Sequence, residues 1–104
     1  MSVLLEFSMF PTDKGESVSQ YVSEIIKIIR NADVDYRLTP MGTLIETDDI
    51  TQALGLVEQA YNTLEGLGCN RVYSVLKLDI RNGKTNRLSQ KIKSVTDKIG
   101  HVNT

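Results

Sequence analysis

Few residues in this 104-residue chain have the type and spacing for covalent chemistry. The single histidine, His101, sits in a frayed-looking tail, a poor place to hold catalytic geometry. The single cysteine, Cys69, follows a helix-ending glycine, with only Arg71 near enough in sequence to lower its thiol pKa. It reads as a half-buried filler rather than a nucleophile. An activated Ser, Cys or Thr needs a base beside it, and no such pairing is visible. Asp48 and Asp49 are close enough to tempt a cation, but they stand just before an apolar helical pattern and are expected to cap it. There is no Walker or dinucleotide glycine pattern, and Met41-Gly42-Thr43 is too short to cradle a phosphate alone. The expectation is a protein with no catalytic residues, no metal site and no resident cofactor, and therefore not an enzyme.

The elements that must position any binding residues follow from periodicity. Val3, Leu5, Phe7 and Met9 alternate with Leu4, Glu6, Ser8 and Phe10, which predicts a strand with one fully apolar face. Pro11 and the following Thr12-Asp13-Lys14-Gly15 end it. Ser17 with Gln20 forms a capping-box pattern, and Val18, Tyr21, Val22, Ile25, Ile26 and Ile29 then repeat at helical spacing up to about Asn31. Val34, Tyr36 and Leu38 predict a second strand, Pro40-Met41-Gly42 a turn, and Thr43 to Thr47 a third strand. A second helix carries Ile50, Leu54, Val57, Ala60, Tyr61, Leu64 and Leu67 and leaves through Gly66 and Gly68. Arg71 to Arg81 alternates throughout, Asn82-Gly83 breaks it, and a last helix from about Asn86 carries Leu88, Ile92, Val95 and Ile99.

The order β-α-β-β-α-β-α contains the split βαβ arrangement. The predicted fold is α+β: a ferredoxin-like βαββαβ sandwich with a four-stranded antiparallel sheet and an additional C-terminal helix, forming one domain over residues 1–104. Two helices are expected on one sheet face. The other, expected to be free of helices, carries Glu6, Ser8, Arg37, Tyr73, Lys77, Asp79 and Arg81. Leu4, Phe10 and Val75 interleave with them, so that face suits a wet subunit contact or a ligand floor as well as it suits solvent.

Composition narrows the partners. The content is 40% hydrophobic and 24% charged, which is that of a globular domain, and a net charge of −1 disfavours nucleic acid and anionic membranes. Stacking of RNA bases on Tyr73 beside Lys77 is opposed by Asp79 and Glu46. No stretch is long and apolar enough to span a bilayer, the Met1–Phe10 run lacks a basic leader, and one cysteine permits no internal disulfide. The expected location is cytoplasmic.

The segments Met41-Gly42-Thr43-Leu44-Ile45-Glu46, Arg71-Val72-Tyr73 and Leu76-Lys77-Leu78-Asp79-Ile80-Arg81 resemble the thiamine-binding protein-like family of small bacterial and archaeal proteins, related to YkoF. Phe10-Pro11 and Lys91-Ile92-Lys93-Ser94-Val95 extend the resemblance over nearly the whole chain. It departs from the family at Thr12-Asp13-Lys14, where a small residue often follows the early proline. The resemblance implies a ferredoxin-like subunit that self-associates as a dimer or tetramer and binds thiamine or its hydroxymethylpyrimidine moiety without catalysis. Within it, Glu46 is the expected partner of the aminopyrimidine, with an exposed carboxylate or an ion pair to Arg71 or Arg81 as the alternative. Ser8 and Thr43 would add hydrogen bonds beside Gly42, and Phe10, Met41 and Tyr73 would enclose the ring, although each also suits core or interface. Asp79 would face a thiazolium or pair with Lys77 or Arg81 across a subunit contact. The competing reading is a structural or regulatory homo-oligomer with no small-molecule ligand.

Overall fold

The computed structural model describes residues 1–104. Seven elements follow in order: β1 (Ser2–Pro11), α1 (Ser19–Arg30), β2 (Asp35–Thr39), β3 (Gly42–Thr47), α2 (Ile50–Gly66), β4 (Val72–Arg81) and α3 (Arg87–Ile99). The four strands form one antiparallel sheet in the order β2-β3-β1-β4. This is the ferredoxin-like topology with a third helix added.

Register assigns the faces. Val3 lies opposite Thr47 and Ile80, Leu5 opposite Ile45 and Leu78, and Phe7 opposite Thr43 and Leu76. These residues turn towards α1 and α2, whose Ile25, Ile29, Ala53, Leu56, Ala60 and Leu64 complete the core with Cys69. Leu4 lies between Glu46 and Asp79, and Glu6 between Leu44 and Lys77, on the other face. The period-two pattern of β1 therefore sorts its side chains as the sequence requires.

Two helix starts contrast. Asp49, extended at φ −146°, caps α2 by accepting the Gln52 N–H at 2.7 Å, as its acidic side chain before an apolar run predicts. The expected Ser17–Gln20 box at α1 does not form. The N-cap is Val18, with no side-chain hydrogen bond, so Ser17 and Gln20 fall one position out of register for reciprocal capping. The Val18 carbonyl instead accepts the Tyr21 and Val22 amides, both at 3.0 Å. At the end of α2, Gly68 alone takes the left-handed exit, at φ +82°, while Gly66 remains helical.

The second face is not free of helices. The first turn of α3 is seated on it, and Leu88 and Ile92 close a 240 Å³ cavity over Leu4 and Leu44. Beyond Ile92 α3 projects, and Val95 and Ile99 are exposed, as is nearly half of Ile92. On the first face the helical layer stops short of β4, so Leu76, Leu78 and Ile80 are also exposed. The radius of gyration is 15.0 Å, against about 13 Å for a compact domain of this length. The chain is thus elongated, with the end of α3 and the helix-side face of β4 uncovered within it.

Candidate functional site

Where the Phe10 end of β1 meets α1 and the β2–β3 turn, the structure opens a cavity of about 400 Å³. That volume falls in the range of small-molecule sites. Its walls come from Val18, Val22, Ile25 and Ile26 on α1, from Leu38 to Thr43 around the turn, and from Phe7 to Phe10 on β1. No charged side chain lines it. Ser8, Thr39 and Thr43 are the hydroxyl-bearing residues along it; Thr43 turns to the helix-covered face with Phe7 and Met9, whereas the alternation of β1 turns the Ser8 and Phe10 side chains to the other face. Such a lining suits a flat heteroaromatic ring that needs a few hydrogen bonds.

The turn is built to keep this opening. The Thr39 hydroxyl donates to the Gly42 carbonyl at 2.7 Å and accepts the Met41 N–H at 3.3 Å, which fixes the reversal. A Cβ on Gly42 would stand 3.2 Å from the Phe7 carbonyl oxygen, so glycine lets β3 approach β1 there. Met41, at the tip, is 90% exposed, and its flexible thioether side chain is free to fold over an occupant. Phe10 is held from behind by Tyr73 across β1 and β4, with ring centroids 5.7 Å apart and tilted by 44°.

Five of the seven expected binding residues therefore meet at one cavity: Ser8, Phe10, Met41, Gly42 and Thr43. Tyr73 stands one layer behind Phe10. Glu46 lies towards the opposite end of β3 and does not line the cavity. The wall from α1 is hidden in the sequence because Val18, Val22, Ile25 and Ile26 look like an ordinary core stripe. The one available signal was its width, greater than a short sheet end can cover.

Glu46 is occupied differently. It accepts the Ser2 hydroxyl at 2.5 Å, the Arg87 N–H at 3.0 Å and the Leu88 N–H at 3.2 Å. It is the capping carboxylate of α3, supplied from β3 rather than from the helix itself. Burial pushes its carboxyl up, but the Ser2 hydroxyl and the two amides together outweigh that and hold it below its ordinary value. The anticipated ion pairs with Arg71 or Arg81 do not form.

Beside it, Asp79 pairs within the chain rather than with Lys77 or Arg81. Lys91 reaches one of its oxygens at 2.7 Å and Arg87 the other at 2.6 Å. The buried Arg87 guanidinium also donates to the carbonyls of Asp79 and Ser2. The Lys91 ammonium and then the Arg87 guanidinium lower the Asp79 carboxyl from 3.8 to about 2. A depressed carboxylate contributes stability above its unfolded pKa and loses that contribution as pH falls through its folded pKa. Acid titration of wild type against Asp79→Asn is expected to show an Asp79-dependent loss between pH 3.8 and about 2. Parallel acid melts of the two proteins would contradict the pairing.

Antiparallel order β2-β3-β1-β4, two helices over one face and an apolar cavity at the sheet end define a ferredoxin-like α+β domain with a third helix docked opposite. The chain belongs to the thiamine-binding protein family, whose sequence profile matches residues 5–96. It is 34% identical over 83 residues to a UPF0045 protein of Methanothermobacter thermautotrophicus, covering 80% of this chain and 84% of that one. A hypothetical protein of Methanocaldococcus jannaschii has a crystal structure that superposes with a TM-score of 0.80 at 33% identity, over 92% of this chain and 97% of that one. A protein proposed for thiamine biosynthesis or salvage in Thermotoga maritima shares the fold at a TM-score of 0.76 and 18% identity, over 91% and 99% of the two chains. No helix of the present protein is long and apolar enough to cross a membrane.

Proposed function

We propose that this protein is a non-catalytic, cytoplasmic binder of thiamine or of its hydroxymethylpyrimidine moiety, and that the ligand occupies the cavity between α1 and the β2–β3 turn. The observation that carries this reading is the 400 Å³ enclosure, largely apolar and free of charged side chains, with Ser8, Thr39 and Thr43 among its lining residues. Membership of a family named for thiamine binding supports the choice of ligand. In this reading Met41 and the α1 wall enclose the pyrimidine ring, Thr43 and the backbone around Ser8 and Gly42 satisfy its amino group and ring nitrogen, and Phe10 borders the site with Tyr73 behind it.

Calorimetric titration with thiamine and with hydroxymethylpyrimidine tests it. Saturable binding near one site per chain at micromolar affinity is expected. Val22→Trp, which projects an indole from α1 into the cavity, should weaken that binding by at least about tenfold, or about 1.4 kcal/mol, while the protein melts as wild type does. Silence for both ligands, or undiminished binding by the filled variant, would remove the ligand from the cavity.

A second proposal concerns assembly. β4 is a ten-residue edge strand with Tyr73 and Val75 exposed on one face and Leu76, Leu78 and Ile80 on the other. Its single inner lysine, Lys77, is the only charged residue between Val72 and Asp79, so little protects the edge from pairing. A second copy placed about a two-fold axis would extend the sheet and cover the Leu76–Leu78–Ile80 row with its own equivalent. Dimers built this way, or tetramers of them, fit the unpaired edge and the projecting α3.

A further inference from the structure

At the end of the sheet away from the apolar cavity lies a second concavity of opposite chemistry. It measures about 500 Å³, is lined by no hydrophobic residue, and sits between the β4–α3 turn and the outer side of α3. Arg81, Lys84, Arg87 and Lys91 surround it, with Gln90 and Ser94 as neutral hydrogen-bonding groups. No carboxylate is among its lining residues. In a chain of 12 basic and 13 acidic residues, four cations around one hollow form a strong local departure from neutrality.

The four cations divide into two pairs. Arg87 and Lys91 are anchored by the Asp79 carboxylate, which is shared between them. Arg87 is further fixed by the Ser2 and Asp79 carbonyls and is 5% exposed. Arg81 and Lys84 make no ion pair and no side-chain hydrogen bond. With Asp79 counted against Arg87 and Lys91, the hollow keeps an excess of three positive charges. The first amides of α3 are not what makes it basic, because Glu46 already accepts both the Arg87 and Leu88 N–H groups. The attraction comes from side chains: Arg87 is buried and fixed, Lys91 is tethered to Asp79, and Arg81 and Lys84 are unpaired.

We propose that this hollow is a binding site for a compact phosphate-bearing small molecule, with a diphosphate group as the form that best spans Arg81, Lys84 and Lys91, the buried Arg87 adding charge from behind. Arginine forks match phosphate oxygens in pairs and lysines supply point charge. A monophosphate would engage only part of so wide a ring of cations. The neighbouring surface selects against a long polyanion. Thr85 also borders a concavity on the other side of the β4–α3 turn that carries Asp33, Asp35, Glu46 and Asp48. A nucleic acid tracking across this end of the sheet would meet those four carboxylates, whereas a compact anion is spared them. The hollow is separate from the apolar cavity, and its occupancy does not depend on thiamine binding there.

The probe is inorganic pyrophosphate, titrated calorimetrically into the full chain at low ionic strength, with inorganic phosphate, glycerol phosphate and a short single-stranded RNA as comparison arms. Saturable pyrophosphate binding, tighter than that of either monophosphate and weakened by added salt, is the expected result. The double variant Arg81→Ala/Lys84→Ala removes the two unpaired cations without touching the Asp79 network. It should melt as wild type does and lose at least about tenfold in pyrophosphate affinity. Absence of saturable pyrophosphate binding overturns the proposal, as does equal affinity in the double variant. Displacement of pyrophosphate by the RNA would overturn it in favour of a nucleic-acid surface. Because thiamine is titrated separately and Val22 lies at the other cavity, either site can be refuted while the other stands.

Discussion

Glu46→Ala is expected to lower the melting temperature by about 10 °C and to strip α3 of amide protection while leaving β1 protected. The substitution removes a carboxylate that accepts two helix amides and the Ser2 hydroxyl. Loss of a helix-capping side chain costs about 1 kcal/mol, and a hydrogen bond to a charged group about 1.5–3 kcal/mol. Glu46 is only half-buried, so water replaces part of what is lost, and a net cost of about 2 kcal/mol follows. For a domain of this size each kcal/mol shifts the midpoint by about 4–8 °C. Glu46→Gln, which keeps an acceptor but not the charge, should fall between the two. Hydrogen exchange read by mass spectrometry separates the local from the global effect. Unchanged protection in α3 would mean that Glu46 is not its anchor. The same variant also separates two roles for this residue: with the carboxylate outside the apolar cavity, thiamine affinity should survive the substitution once the protein is held well below its melting point.

The second large effect is expected at β4. If the proposed edge-to-edge dimer forms, Leu78→Glu should convert it to monomer, with a dissociation constant raised at least about 100-fold, or about 2.7 kcal/mol. Leu78 is 37% exposed in the single chain, so the new carboxylate can reach water in the monomer, and a thermal melt separates any loss of folding from loss of assembly. In a two-fold edge-to-edge dimer the same position occurs twice. Each chain would lose an apolar contact, and two carboxylates would come close together, which disfavours pairing. Sedimentation velocity over a range of protein concentrations reads the result. An assembly that survives Leu78→Glu must be built through another surface, such as the exposed Ile92, Val95 and Ile99 stripe of α3.

How much of this was legible in the chain depends on the range of the interactions involved. The alternation in β1 and β4 and the spacing in α1 and α2 reported element type and facing, because burial imposes those periods locally. The capping of α2 by Asp49 was equally local. The capping box at Ser17 failed because the α1 boundary moved by one position, and such a shift depends on how the preceding loop packs. α3 was recognised as a helix, but its seat was not. An amphipathic stripe says that one side is apolar, not which surface meets it. The contact that decides its place, Glu46 with Arg87 and Leu88, spans more than 40 residues of sequence. That same long-range contact gives Glu46 a place as the anchor of α3, which its position on a strand did not suggest. Ser8, Phe10, Met41, Gly42 and Thr43 came together because the turn and the end of β1 are sheet neighbours, a relation that the predicted topology already contained.

The way α3 is held has a mechanical side. Its thirteen residues extend about 20 Å, yet its firm attachments lie in its first turns. Such a helix behaves as a cantilever: a rotation of about 10° at the fixed end carries the free tip through about 3 Å. Arg87 and Lys91 belong both to that fixed end and to the wall of the basic hollow.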